Sequence, residues 1–314
     1  MSTQQGKGTE MTDQTQQPSE PEILAFIAQS DAFYPEGATE ASIAQQRAWY
    51  DALCAAFAAT EAAVTWVDGR VGGRVPVRRY TPQDLRSEVH LLYIHGGGFV
   101  VGSLDSHHAI CAEIAEGVGA RLTAVEYRLA PENLWPAQIE DCDLVLKELL
   151  GAGKQVVVIG DSAGGTLAAG LARRVKTQGR AGLRGQALIY PGLGGDPTRG
   201  SYVSMANAPG LSTADVRFYR DLLGAPEGDA EAQPLSVDDF AGLAPAYVTG
   251  AHFDPLQDDA AAYAAALVRA GVEAWYRREP QMIHAWLRAR HMSPGAAEGF
   301  AALIAAVRHL AGVR

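Results

Sequence analysis

Two glycine-rich segments, each placed directly after a run of apolar residues, constrain the fold of this sequence most strongly. They are His95-Gly96-Gly97-Gly98-Phe99 and Gly160-Asp161-Ser162-Ala163-Gly164-Gly165. Apolar residues 155–159 predict a buried strand before the second segment, and residues 167–175 predict a helix after it. Ser162 is therefore expected on a sharp strand-to-helix turn. Close backbone approach at such a turn requires Gly160 and Gly164 to lack side chains.

This turn suits a nucleophilic serine with donors for an oxyanion. The start of the helix supplies free amide groups and a positive dipole end, so the Ala163 N–H is predicted as one donor. Apolar residues 89–94 predict another strand, which runs into the first glycine-rich segment. Fixed amides stabilise the charged oxygen of an acyl-transfer intermediate, and Gly97 and Gly98 are predicted as the other donors. His95 is expected to hold the shape of this loop.

The rest of the sequence alternates between the two kinds of element. Further strands are predicted at residues 64–68, 75–80, 122–127, 186–190, 245–250 and 272–279, and further helices at 106–117, 137–150, 260–270 and 298–310. Alternation of this kind predicts an α/β fold with a mostly parallel sheet and helices on both faces. The first two strands are expected to form an antiparallel hairpin.

An acid and a base are expected after Ser162, because a serine on such a turn is followed in the chain by the acid and then the histidine. Asp254 lies in the loop after the strand at 245–250 and is predicted as the acid. His284 lies in the loop after the strand at 272–279 and is predicted as the base.

Other acidic and histidine residues fit this spacing less well. Asp258 and Asp259 fall at a helix start, where carboxylates are common as caps and dipole partners. His291 lies in a polar, arginine-rich stretch and is interpreted as a surface residue. His107 and His108 lack a third ligand, so no metal is predicted, and no cofactor either.

Four more motifs accompany the two glycine-rich segments. They are Tyr127-Arg128-Leu129-Ala130-Pro131-Glu132, Tyr190-Pro191-Gly192-Leu193, Asp254-Pro255-Leu256-Gln257-Asp258-Asp259 and Met282-Ile283-His284. In this order, over roughly residues 20–310, the chain resembles the hormone-sensitive-lipase-like (bacterial family IV) esterases of the alpha/beta-hydrolase superfamily. The resemblance implies a triad of Ser162, Asp254 and His284, an alpha/beta-hydrolase fold with an eight-stranded sheet, and a helical cap.

The chain departs from the family pattern at several positions. Thr166 replaces the common Asn, Glu126 stands where Asp is frequent, and Ala285-Trp286 replaces the usual Gly-Phe. None of these changes removes a catalytic group. The added methyl of Ala285 and the larger ring of Trp286 are expected to reshape the alcohol side of the substrate pocket.

The domain organisation follows from composition and from helices outside the alternation. Residues 1–20 are rich in polar residues and Gly without an apolar core, and are predicted as a disordered tail. Residues 21–60 are predicted as the N-terminal part of the cap. Residues 61–314 are predicted as the catalytic domain, with a cap insertion around 196–226.

Cap segments line the acyl pocket in the resembling family, so their apolar residues are candidates for substrate contact. The predicted substrate-binding residues are Phe33, Tyr34, Leu211 and Phe218 from the cap, and Phe99, Trp135 and Trp286 beside the catalytic loops. Trp49, Met205 and Tyr219 are weaker candidates from the cap. Apolar residues on amphipathic helices usually serve packing, so only two or three of the seven cap residues are expected to contact substrate.

Composition limits the partners. A formal net charge of −10 over 314 residues disfavours nucleic acid and anionic membranes. Cys54, Cys111 and Cys142 are widely spaced and are predicted to be buried, reduced thiols. No segment reads as a signal peptide or membrane span, so a cytoplasmic enzyme is expected. The resemblance is compatible with a homodimer that pairs through the last strand.

These features together predict a carboxylesterase that acts on small esters with short or medium acyl chains. An amidase or formamidase could use the same triad, and the sequence does not separate these activities. A binding protein that kept the pocket but lost catalysis is disfavoured by the intact Ser162, Asp254 and His284.

Overall fold

One sheet of eight strands organises the part of the chain that the computed structural model describes, residues 17–35 and 37–313. The strands are β1 (Val64–Val71), β2 (Val75–Pro82), β3 (Ser87–Ile94), β4 (Ala120–Val125), β5 (Val156–Asp161), β6 (Leu183–Ile189), β7 (Ala246–Phe253) and β8 (Ala274–Ile283). Their order is β1-β2-β4-β3-β5-β6-β7-β8. The pairs β1–β2 and β2–β4 are antiparallel and all others are parallel. The predicted sheet and its initial hairpin are confirmed.

Helices cover both faces of this sheet. They are α1 (Pro21–Asp31), α2 (Ile43–Ala56), α3 (His108–Val118), α4 (Ala137–Gly151), α5 (Ala163–Thr177), α6 (Ser201–Ser204), α7 (Thr213–Leu223), α8 (Gln257–Arg269) and α9 (Pro294–Leu310), with short 3₁₀ helices at Ala38–Glu40, Pro234–Ser236 and Trp286–His291. Val157 and Ile159 of β5 pack with α3 and α9, whereas Val156 and Val158 pack with α4, α5 and α8. This alternation explains the uninterrupted apolar run, because a central parallel strand is buried on both sides.

The N-terminal region is not one continuous helical segment. It splits into α1 and α2, separated by the 3₁₀ turn. Pro21 lies in the first turn of α1, where its missing N–H costs nothing, and the Ser42 hydroxyl accepts a hydrogen bond from the Gln45 N–H at the start of α2. The 196–226 insertion contributes α6 and α7. Ser212 and Asp215 form a capping box at the start of α7.

The predicted tail ends earlier than residue 20. The Ser19 N–H donates a 2.7 Å hydrogen bond to Gln281 Oε1, and the Ser293 hydroxyl donates to the Glu20 carboxylate. These bonds tie residues 19 and 20 to β8 and to the start of α9, so the tail prediction is wrong for this pair. Residues 1–16 lie outside the described part of the chain.

Asp259 does more than cap a helix. Its buried Oδ2 accepts hydrogen bonds from the Leu193 N–H at 2.7 Å, the Gly195 N–H at 3.2 Å and the Tyr202 hydroxyl at 3.0 Å. Asp258 likewise accepts from the Ser201 N–H. The interpretation of both residues as simple caps is therefore incomplete, because they join α8 to the segment that carries the cap insertion.

The three cysteines are free and buried, as predicted. Among the helices of residues 17–35 and 37–313, none is long and apolar enough to cross a membrane.

Candidate active site

Ser162 lies at the turn between β5 and α5 with φ 53° and ψ −121°. Non-glycine residues seldom adopt a positive φ. A Cβ atom at Gly160 would lie 2.2 Å from the Gly164 carbonyl oxygen, and one at Gly164 would lie 2.0 Å from the Ile94 carbonyl oxygen. Both glycines are therefore required by close backbone approach, as the sequence analysis expected.

His284 lies between Ser162 and Asp254. Its Nε2 atom is 2.9 Å from Ser162 Oγ, and its Nδ1 atom is 2.7 Å from Asp254 Oδ2. Asp254 is fully buried, and its other oxygen accepts a 2.9 Å hydrogen bond from the Leu256 N–H. Each residue follows the carboxyl end of a different strand: β5 for the serine, β7 for the aspartate and β8 for the histidine. The structure brings together the three residues that the sequence nominated.

Three backbone N–H groups adjoin Ser162. Gly97 and Gly98 have φ values of 117° and 58°, and both line a cavity shared with Ser162. The Gly97 carbonyl accepts from the Val100 and Val101 N–H groups, which closes the loop into a tight turn. Within the described residues, no acceptor is assigned to the N–H groups of Gly97, Gly98 or Ala163. These donors remain free for a charged oxygen.

The buried carboxylate of Asp161 supports the loop that contains Gly97 and Gly98. Asp161 Oδ1 accepts hydrogen bonds from the Gly96 N–H at 2.9 Å and from the Tyr93 hydroxyl at 2.8 Å. Burial alone would raise the pKa of Asp161, but the adjacent His107, the positive charge of Arg288 and the Tyr93 hydroxyl hold that pKa below its ordinary value. Asp161 therefore stays ionised and fixes the loop against β5. Asp161 belongs to the glycine-rich motif around Ser162, but the motif alone did not indicate this supporting role.

His95 has the structural role that was expected for it. Its ring stacks on Tyr127 with centroids 4.3 Å apart, and its Nδ1 atom lies 2.8 Å from the Gly96 carbonyl oxygen. Burial lowers the pKa of His95 to about 3, so the ring is neutral.

Two cavities meet at Ser162. The larger one, here called the N-terminal cavity, has a volume of about 340 Å³ and extends toward α1 and α2. The smaller one, the insertion cavity, has a volume of about 220 Å³ and extends toward α7. Leu211 and Tyr219 line both cavities. An ester bound at Ser162 has room for two arms in different surroundings.

The structure separates the predicted substrate-binding residues into two groups. Tyr34 lines the N-terminal cavity, Phe99 lines the insertion cavity, and Leu211 lines both. Of the seven cap residues, three are lining residues: Tyr34, Leu211 and Tyr219.

The other predicted contacts lie elsewhere. Phe33 and Phe218 line neither of the two cavities, and Phe218 packs edge-on against Tyr219. Trp135 also lines neither cavity, because its indole N–H is directed to Asp229 with an Nε1–Oδ2 distance of 3.1 Å. The position of a residue on a cap helix or a nearby loop therefore does not determine whether its ring faces a cavity.

The prediction that Trp286 contacts substrate is wrong. Its side chain is 0% exposed and packs in the core beside Tyr190 and under Gly299. Ala285, in the left-handed region at φ 63°, turns the chain so that the indole enters the core rather than the pocket. Trp286 therefore does not reshape the alcohol side, whereas Ala285 does line the N-terminal cavity.

Sequence reasoning missed the polar residues of the cap interface. Arg47 on α2 donates to the Val100 and Ala130 carbonyls and pairs with Glu132 at 2.7 Å. Arg288 donates to the Tyr50 hydroxyl inside the N-terminal cavity. No sequence pattern could pair these residues, since 238 positions separate Arg288 from Tyr50.

The chain is similar to known hydrolases and esterases. Residues 91–288 match a family model described as an alpha/beta hydrolase fold. Esterase LipI of Mycobacterium tuberculosis is 34% identical over 241 residues, covering 73% of this chain and 75% of that protein. Ethyl acetate hydrolase of Pseudomonas putida is 35% identical over 253 residues, covering 76% and 80%.

Solved structures resemble the whole described architecture. An esterase from the bacterial hormone-sensitive lipase family superposes with a TM-score of 0.86 at 26% identity, covering 94% of this chain and 99% of that one. The chain belongs to the alpha/beta-hydrolase family, in the branch related to hormone-sensitive lipase. The predicted family, fold and enzyme class are confirmed.

Proposed function

We propose that this hydrolase is a carboxylesterase that cleaves esters with short- to medium-chain acyl groups through an acyl-enzyme formed on Ser162. His284 removes the hydroxyl proton as the oxygen attacks the ester carbonyl carbon, and Asp254 orients and stabilises the resulting imidazolium. The amides of Gly97, Gly98 and Ala163 bind the oxyanion.

The second half of the cycle uses the same groups. Collapse of the tetrahedral intermediate breaks the bond to the alcohol oxygen, which takes the proton from His284. A water molecule then gives a proton to His284 and attacks the acyl carbon, and Ser162 leaves with that proton restored. No other general base is required.

The observation that carries the proposal is the short relay of 2.9 Å and 2.7 Å from Ser162 through His284 to Asp254. It lies beside three amides that have no acceptor among the described residues. A receptor would not need a hydroxyl hydrogen-bonded to a histidine beside unpaired amides.

Support for short or medium acyl chains comes from the size of the site. Cavities of about 340 Å³ and 220 Å³ suit small ester arms better than a long fatty acyl chain. The Pseudomonas putida relative bears the name ethyl acetate hydrolase, which describes a short soluble ester. The small-ester partner, the homodimer and the cytoplasmic location remain predictions.

A panel of soluble esters of increasing acyl length tests the proposal. We expect kcat/KM to peak at short or medium length, and a serine-directed organophosphate to label the protein at Ser162 and abolish turnover. The Ser204→Ala variant, which changes a serine outside the relay, is the control and should be labelled normally. A preference for long-chain emulsified triglyceride would contradict the chain-length proposal, and a preference for amides would point to an amidase.

A further inference from the structure

Arg288 is a buried cation in the N-terminal cavity, which also contains Ser162 and His284. Its side chain is only 6% exposed. It follows the catalytic histidine by four positions, in the 3₁₀ helix Trp286–His291 that leads away from β8. A guanidinium in such a place must be balanced by its surroundings, because burying an unpaired charge is costly.

The groups that contact Arg288 directly do not carry a negative charge. One terminal nitrogen donates to the Tyr50 hydroxyl, and the guanidinium carbon lies 5.0 Å from the centre of the Tyr50 ring. Burial raises the pKa of the Tyr50 hydroxyl and of the nearby Cys54 thiol, so both are neutral near pH 7. The Nε atom of Arg288 is buried and has no hydrogen-bond partner in the described part of the chain.

The nearby acids of the described residues do not contact Arg288 directly. Within residues 17–35 and 37–313, Arg288 forms no ion pair with a carboxylate. Asp161 attracts Arg288 electrostatically, but no direct hydrogen bond or ion pair joins the two residues. Its Oδ1 atom accepts instead from the Gly96 N–H and the Tyr93 hydroxyl. Asp31 and Asp215 line the cavity, but Asp31 is exposed to solvent and Asp215 is held by the Ser212 capping box.

We propose that Arg288 recognises a second carboxylate on the substrate, so that the preferred esters carry an anionic group on one of their two arms. A carboxylate can accept hydrogen bonds from a guanidinium in a planar arrangement and would neutralise its charge at the same time. The proposal rests on the proposed esterase function and adds a substrate class to it.

Matched pairs of esters test this substrate class on each arm. On the acyl side, monoethyl succinate is compared with ethyl succinamate, which replaces the carboxylate by a neutral amide of the same shape. On the alcohol side, O-acetyl glycolate is compared with O-acetyl glycolamide. We expect the carboxylate ester of one pair to have a kcat/KM about 10-fold or more above its amide partner, as befits a buried charged pair.

Variants of Arg288 then assign the preference. In Arg288→Gln the ratio of kcat/KM within that pair should fall to about one or below, and in Arg288→Lys it should be partly kept. Arg269→Gln removes an exposed charge on α8 and should leave the ratio unchanged. A homologous series of dicarboxylic monoesters should show an optimum length that reports the reach from Ser162 to Arg288.

The outcomes are distinguishable from those of the proposed function. If wild-type enzyme prefers the amide ester on both arms, the carboxylate proposal is overturned, even when Arg288→Gln fails to fold. If no ester is hydrolysed at all, the esterase function fails, and calorimetric titration with succinate decides the binding question. Binding that disappears in Arg288→Gln would support the carboxylate site, and no binding to wild-type protein would end it.

Discussion

The rim formed by the carboxyl ends of β5, β7 and β8 and the helices of the proposed cap are held in different ways. At the rim, the ends of adjacent parallel strands place Ser162, Asp254 and His284 within hydrogen-bond distance. The cap is held by apolar packing, as where Tyr50 and Cys54 of α2 pack with Val100 and Val101. Single polar side chains add specific connections, such as Arg47 to the Val100 carbonyl and Asp259 to the segment after β6. The strand ends therefore position the rim, whereas side-chain packing and single hydrogen bonds hold the cap.

This difference predicts that substitutions at the rim change chemistry and substitutions in the cap change stability or selectivity. The largest effect is expected for Ser162→Ala, which removes the proposed nucleophile. Its kcat should fall by about 10⁶-fold, since loss of a serine nucleophile leaves only binding and oxyanion stabilisation. Single-turnover kinetics with a chromogenic ester would measure this, with unchanged thermal unfolding as the control. Retention of normal turnover would contradict the proposed mechanism.

The Asp254→Asn variant tests the contribution of the buried carboxylate that contacts His284. The amide would favour the wrong tautomer of His284 and would not stabilise the imidazolium, so kcat should fall by about 10⁴-fold. Asp238→Asn, which changes an exposed acid in the loop before β7, should leave kcat unchanged. Equal losses in both variants would show that overall charge, and not the contact to His284, is responsible.

Asp259→Ala tests the cap. It would leave two backbone N–H groups and the Tyr202 hydroxyl without their acceptor, at a cost of about 3 kcal/mol in the free energy of unfolding. Denaturant titration would measure this, with Asp238→Ala as the matched control. Organophosphate labelling of the folded variant should persist, because the Ser162–His284 contact does not involve this residue. Unaltered stability would refute the anchoring role of Asp259.

The smallest effect is expected for Ala285→Gly. Ala285 adopts φ 63°, a left-handed conformation that costs a residue with a Cβ atom about 1 kcal/mol and costs glycine almost nothing. We expect a small rise in the melting temperature and little change in kcat for a short ester. A lower melting temperature would mean that the methyl group contributes more by packing than it costs in strain.

The residues of the rim could be predicted well because short sequence patterns define them. A strand, a glycine-flanked serine and a helix form a pattern that spans only about a dozen residues. The proposed acid and base each follow a later predicted strand, so their positions could also be predicted. The cap could not be predicted in the same way. Tyr34 and Leu211 line the cavities, but Phe33 and Phe218 lie on the same segments and do not.

The amino-acid sequence alone determined the order of the elements, the strained turn at Ser162 and the identity of the proposed triad, because these depend on backbone conformation and on short-range patterns. Only the tertiary structure decided that Trp286 is buried in the core, that Asp161 supports the oxyanion loop, and that Arg288 enters the pocket. The direction of a side chain depends on neighbours that are distant in the sequence, and packing and hydrogen bonding with those neighbours select it.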